Sequence, residues 1–135
     1  MADPFQFDLV SPERLIFSEP ATQVVVPGSE GQFTVLKGHA PLMTTLRPGV
    51  VEVTQENGDQ TRIFVRGGFA DTNPDGLTIL AEQAIPLEEL DPAMLAQEVK
   101  NAEEDLADAK EGAAKDTAAH RLQQLREVQT ALATH

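Results

Sequence analysis

Residues whose types and spacing could do chemistry gather most densely near the middle of the chain. Asp71, Asn73, Asp75, Gly76 and Glu82 satisfy every defined position of the calcium-loop pattern D-x-[DN]-x-[DN]-G-x5-E. Oxygen ligands at alternate positions, with a glycine for the sharp turn, would wrap a hard cation. That loop requires a helix on each side, however, and the flanking runs 63–66 and 77–80 are β-like, with Pro74 inside the loop. Asn-Pro-Asp-Gly is sufficiently explained as a hairpin turn, so no metal ligand is expected here.

The other candidates fail on similar grounds. Gly28, Ser29, Glu30 and Gly31 could cradle a phosphate, but no Lys-Ser/Thr and no helix start follow, and Glu30 would repel the anion. His39, His120 and His135 have no metal-ligand spacing, and His39, beside Gly38, reads as a loop hydrogen-bonding or contact residue. Arg66, Gly67, Gly68 and Phe69 resemble an RNA-binding repeat only once. With 22 carboxylates in the chain, accidental acid pairs are unavoidable, and no Ser/His/Asp constellation accompanies them. The reading is of a chain with no catalytic residue, no cofactor and no metal.

Composition limits the classes that remain. A chain of 135 residues supports one compact core plus an appendage, and 41% hydrophobic residues is too many for disorder. A net charge of −12 argues against nucleic acid and against direct docking on anionic lipid. Without cysteine there is neither a disulfide framework nor a thiolate metal site, which fits a reducing compartment. The start, Met1, Ala2, Asp3, Pro4 and Phe5, lacks the basic and apolar regions of a secretory signal, and no apolar run is long enough to span a bilayer. A cytoplasmic protein is expected, whose link to any membrane runs through a partner.

The elements that must position any functional surface change character near Pro86. Before it, short apolar alternations are separated by turn signals: Phe5, Phe7 and Leu9; residues 14–18; residues 24–26; Phe33 and Val35; residues 42–46; Val51 and Val53; residues 61–66; and residues 77–81. Pro27-Gly28, Pro48-Gly49 and Asn57-Gly58 mark turns, and Gly67-Gly68 marks a bulge or bend. About ten short antiparallel strands in residues 1–86 predict a β-sandwich with a mostly aliphatic core.

Residues 87–135 carry helical spacing instead. Asp91 is an N-cap with Pro92 in the first turn, and Leu95, Val99, Ala102, Leu106 and Ala109 draw one seam that Gly112 ends. Asp116 is placed as the cap of a second helix with seam Ala118, Leu122, Leu125, Val128 and Leu132, and the short link predicts an antiparallel hairpin. So thin a seam needs further support from the β domain or a partner. Each part holds 11 acidic and five basic residues, so each carries −6 and neither reveals its partner by sign.

The densest stretch, residues 24–49, packs strand runs, glycine turns and a Gly38, His39, Ala40, Pro41 loop into a short span and reads as a gripping surface. Residues alone would equally allow a free-standing acidic adaptor. The run Val26-Pro-Gly-Ser-Glu-Gly-Gln-Phe-Thr-Val-Leu-Lys-Gly-His-Ala-Pro-Leu with Leu46-Arg-Pro-Gly49 resembles the signature of the epsilon subunit of bacterial F-type ATP synthases. The likeness extends to Asp8-Leu-Val-Ser11, Gly67-Gly68-Phe69, Leu80-Ala-Glu-Gln-Ala84 and Gln124-Leu125-Arg126, in the same order over nearly the whole chain.

The resemblance implies a non-catalytic rotor subunit on the cytoplasmic face of the inner membrane. Its sandwich would bind the gamma subunit and sit on the c-ring, with Ser29, Glu30 and Gln32 on the ring-facing turn. His39 and Leu42 would belong to the rotor contact surface. Some members of the family it resembles bind ATP through a motif similar to [IL]-D-x-x-R-A at the hairpin's start. Leu90 and Asp91 match it here, but Met94 replaces the arginine that would meet phosphate, so weak or absent ATP binding is expected. Inhibition through the hairpin, against catalytic beta and alpha subunits, would fall to Lys115, Arg121 and Arg126, whose dispersed charges give only modest, salt-screened attraction.

Overall fold

A computed structural model of the chain describes residues 3–134. It divides at Leu87/Glu88 into two compact units.

The first unit is a sandwich of ten strands: β1 (Phe5–Val10), β2 (Leu15–Ala21), β3 (Gln23–Gly28), β4 (Gly31–Val35), β5 (Leu42–Thr45), β6 (Gly49–Thr54), β7 (Gln60–Arg66), β8 (Phe69–Asn73), β9 (Gly76–Leu80) and β10 (Gln83–Pro86). One sheet has the order β2-β1-β9-β8-β5 and the other β10-β7-β6-β3-β4. Period-two alternation sends Phe5, Phe7 and Leu9 of β1, Val24 and Val26 of β3, Val51 and Val53 of β6 and Ile63 and Val65 of β7 into one shared core. That core is mostly aliphatic, with Phe7 tilted against Phe17 at 5.5 Å between ring centroids.

The pairings are antiparallel except that β1 runs parallel to β9, with Phe7 opposite Leu77 and Leu9 opposite Ile79. The chain reaches β9 only after building four of the five strands of the second sheet, so no hairpin turn dictates this direction. The Ala81 amide extends the pairing by donating to the Val10 carbonyl at 2.9 Å.

Several local expectations shift. The strand expected at 14–18 is β2, running from Leu15 to Ala21. Gly49 begins β6 rather than closing a turn: a Cβ there would lie 2.9 Å from Pro27 Cβ, so the glycine permits this close approach of β6 to β3. Residues 69–73 and 83–86, not anticipated as strands, form β8 and the edge strand β10.

The second unit contains α1 (Pro92–Asp108) and α2 (Ala113–Thr134), preceded by a single 3-10 turn at Leu87–Glu89. Asp91 caps α1 as its type suggests, its carboxylate accepting from the Ala93 amide at 2.9 Å and the Met94 amide at 3.5 Å. Val99, Ala102 and Leu122 form the buried seam between the helices, with Leu106 and Leu125 half-buried beside it.

The two inner ends differ from expectation. α1 already stops at Asp108, where the Ala109 amide donates to the Asp105 carbonyl. The Gly112 carbonyl then accepts from the Lys115 and Asp116 amides, so α2 starts a residue after Gly112 and Asp116 lies inside its first turn. There its charge meets the positive end of the helix instead of capping it. No helix among the described residues is long and apolar enough to cross a membrane.

Candidate functional site

The segment that fits the calcium pattern is a two-residue hairpin turn. β8 and β9 flank it, Asn73 pairs with Gly76, and Asn73 Oδ1 accepts from the amides of Asp75 and Gly76 at 2.9 and 3.1 Å. The oxygen that a cation would need is therefore holding the turn closed. Among the described residues no cluster of three His, Asp or Glu side chains is placed to hold a metal.

The residues of the 24–49 stretch converge at one edge of the sandwich. β4 is the edge of one sheet and β5 the edge of the other. Phe33, paired with inward-facing Val26, turns toward the sandwich interior, as does Thr44, paired with buried Ala70. Between these edges lies a shallow hollow of about 270 Å³ lined by Glu30, Gly31, Gln32, Phe33, Leu42 and Thr44. Ser29 stands at its rim, where Thr45 Oγ1 donates to Ser29 Oγ at 2.9 Å. His39 reaches it from the other side, its ring 6.2 Å from that of Phe33 and its Nδ1 2.7 Å from the Ala40 carbonyl oxygen. Ser29, Glu30, Gln32, His39 and Leu42 are thus brought around a single feature, although they lie in three separate segments.

The hollow's wall is held by main-chain bonds around the segments where the chain passes from one sheet to the other. The Ser29 amide donates to Thr45 O at 2.9 Å, the Arg47 amide to Pro27 O at 3.0 Å, and the Leu46 amide to Gly68 O at 3.0 Å. The loop containing His39 is tied in turn to the β8–β9 hairpin, the Gly38 amide donating to Pro74 O at 3.2 Å. The turn bearing Ser29 and Glu30 is therefore joined by main-chain bonds to β5 of one sheet and continues from β3 of the other.

A second surface was not apparent from sequence spacing. On the outward face of the β2-β1-β9-β8-β5 sheet, Leu15 stands opposite Val10, Val10 opposite Leu80, Leu80 opposite Phe69 and Phe69 opposite Thr45. One row thus crosses all five strands, about 19 Å at the usual strand spacing, and four of its members are apolar. Leu15, Leu80 and Phe69 are exposed, and Met43, two residues before Thr45 on the same face, is more exposed still. The next row, Ser18, Asp8, Thr78, Asp71 and Met43, is largely polar. A contiguous apolar band bordered by polar residues has the character of an interaction site. The available signal was apolar residues at outward positions of alternating strands, but only the register lines them up.

In the helical unit, Leu90 is half-buried and Asp91 spends its carboxylate on the cap of α1. Lys115 and Arg121 are exposed, on α2. Arg126 lies 3.6 Å from Glu103 of α1, both half-exposed, so its charge is partly answered within the hairpin. His120, also on α2, meets the Gln124 side chain at 3.0 Å, and His135 lies outside the described residues.

Residues 4–87 match the family described as the ATP synthase delta/epsilon chain β-sandwich domain. The chain is 51% identical over 128 residues to the ATP synthase epsilon chain of Parvibaculum lavamentivorans, covering 95% of this chain and 97% of that one. Its identity to the epsilon chain of Mesorhizobium japonicum is 48% over 132 residues, covering 98% of each. Among solved structures it resembles a chain in the Euglena gracilis mitochondrial ATP synthase, with a TM-score of 0.79, 27% identity and coverage of 96% of this chain and 81% of that chain. A chain in the Tetrahymena thermophila mitochondrial ATP synthase, at 11% identity and a TM-score of 0.62 over 97% of this chain and 98% of that one, shares the fold.

Proposed function

We infer the role of this chain from the premise that it belongs to the ATP synthase epsilon-chain family: it is a non-catalytic subunit of the synthase's central stalk. The family membership displaces the reading as a free-standing adaptor.

Within that role, the sandwich couples rotation of the c-ring to ATP synthesis in the catalytic head by holding the gamma subunit and the ring together. The outward apolar band of Leu15, Val10, Leu80 and Phe69 docks on gamma. An exposed apolar band bordered by polar residues is a surface that a partner would cover, and this is the observation that carries the proposal. Ser29 and Glu30, on the turn at the hollow, and Gln32, which follows on β4, face the c-ring, and His39 and Leu42 complete the rotor contact surface. The subunit is peripheral, on the cytoplasmic face of the bacterial inner membrane, and reaches the membrane through the ring.

The hairpin is the regulatory part. Its cations Lys115, Arg121 and Arg126 meet acidic segments of the catalytic beta and alpha subunits, and because they are few and Arg126 is partly occupied by Glu103, this attraction is weak and falls with salt. ATP has no strong site at Leu90 and Asp91, since Asp91 is used as a cap and Met94 stands where an arginine would meet phosphate.

Cross-linking from Ser29→Cys and His39→Cys, one at a time in the assembled synthase, tests the contact surface. Capture of a ring subunit from position 29 and of a rotor subunit from position 39 is expected. Capture of neither would overturn the assignment.

A further inference from the structure

We propose that Met43 is an oxidation-sensitive site on the docking face, where conversion to the sulfoxide in the unassembled chain weakens its binding to gamma. The inference rests on the reading that the outward face of the β2-β1-β9-β8-β5 sheet docks on that subunit.

The chain has no cysteine, so two-electron oxidation of sulfur must fall on its methionines, Met1, Met43 and Met94. Met43 is 64% exposed and Met94 65%. Of the two, only Met43 belongs to the sandwich sheet: it sits on the edge strand β5, opposite Asp71, two residues from Thr45 and diagonal to Phe69. Its thioether therefore borders the apolar band and extends it toward the hollow, where neighbouring Leu42 forms part of the wall.

With hydrogen peroxide as oxidant, a sulfur lone pair attacks one peroxide oxygen. The S–O bond forms as the O–O bond breaks, and the departing hydroxide takes the remaining proton as water. Sulfur is oxidised by two electrons and peroxide is reduced. The product is a polar, chiral side chain with a strong hydrogen-bond acceptor that must lose its water when the face is covered. Asp71 directly across the strand pair offers that acceptor no donor from its carboxylate. Oxidation thus acts on the free chain, and docking buries the sulfur and protects it.

The test uses the full chain and synthase from which the epsilon chain has been removed. Peroxide-treated chain, shown by peptide mass to carry one added oxygen on Met43, should bind the depleted complex about tenfold more weakly than untreated chain. Methionine sulfoxide reductase should restore binding. A Met43→Leu chain treated identically, with Met1 and Met94 still open to oxidation, should bind as well as its untreated form. Full binding by the Met43 sulfoxide, or equal loss in the treated Met43→Leu chain, would overturn the inference. The underlying docking reading has its own readout. Met43 should oxidise much more slowly in the assembled synthase than in the free chain, and equal rates would overturn that reading itself.

Discussion

A Cβ at position 68 would lie 1.9 Å from the carbonyl oxygen of Leu80 and 2.9 Å from Ala81 Cα. Gly68 also has φ +93°, a conformation that L side chains rarely adopt. Its carbonyl accepts from Leu46 at the join between the sheets, so the position cannot move aside without loosening the hollow's wall. Gly68→Ala should cost roughly 3 kcal/mol or more, from combined strain and overlap with backbone. Gly31→Ala, which meets nothing within 4 Å despite a φ of +133°, should cost about 1 kcal/mol. Urea unfolding of the two variants measures the difference.

Thr72 presents the opposite case. It is buried in β8 and its hydroxyl has no hydrogen-bond partner. Replacing the hydroxyl by a methyl of similar shape removes an unmet polar group without leaving a cavity. Thr72→Val should therefore stabilise the chain by about 1 kcal/mol, visible as a higher unfolding midpoint in urea.

The cap of α1 can be separated from any nucleotide role. Asp91→Ala removes the acceptor for the Ala93 and Met94 amides and should destabilise the hairpin by about 1 kcal/mol. Calorimetry with ATP should show no tight binding to the unaltered chain and no change in the variant. A tight dissociation constant that Asp91→Ala abolishes would restore the nucleotide reading.

Regulation by the hairpin is read most simply from hydrolysis. ATP hydrolysis by synthase carrying a chain that ends at Leu87 should exceed that of synthase with the full chain, and the difference should shrink as salt rises. Glu103→Gln, which frees Arg126, should change hairpin stability by only about 0.3 kcal/mol while strengthening inhibition. Equal hydrolysis with and without the hairpin would remove its regulatory role.

Much of this molecule can be read from local pattern. Inward alternation in Phe5, Phe7 and Leu9, the Asn57-Gly58 turn with Gly58 at φ +88°, and the Asp91-Pro92 helix start are each decided by neighbouring residues. What escaped depends on distant ones. The β1–β9 pairing joins strands with most of the sandwich between them in the chain, and the apolar band exists only because four registers align. β8 was hidden by its polar composition, with Thr72 turned inward where an apolar residue would have signalled a strand. Asp116 has the right residue type for a cap, but the Gly112 carbonyl had already begun the helix. Residues 29–42 of the 24–49 stretch were legible as a group because turns and strand edges force them around one hollow. Their relation to the outward band was not.

If the sandwich holds gamma through its outward apolar face while the region of Ser29 meets the ring, a charge placed in that face breaks the coupling. Membrane vesicles carrying synthase depleted of its epsilon chain provide the direct test: ATP-driven proton pumping is measured after adding the unaltered chain or a Phe69→Asp chain shown to be folded. Pumping should be restored by the former and not by the latter, whose charge would have to be buried in the apolar contact. Equal restoration by both chains, or by neither, would contradict the claim.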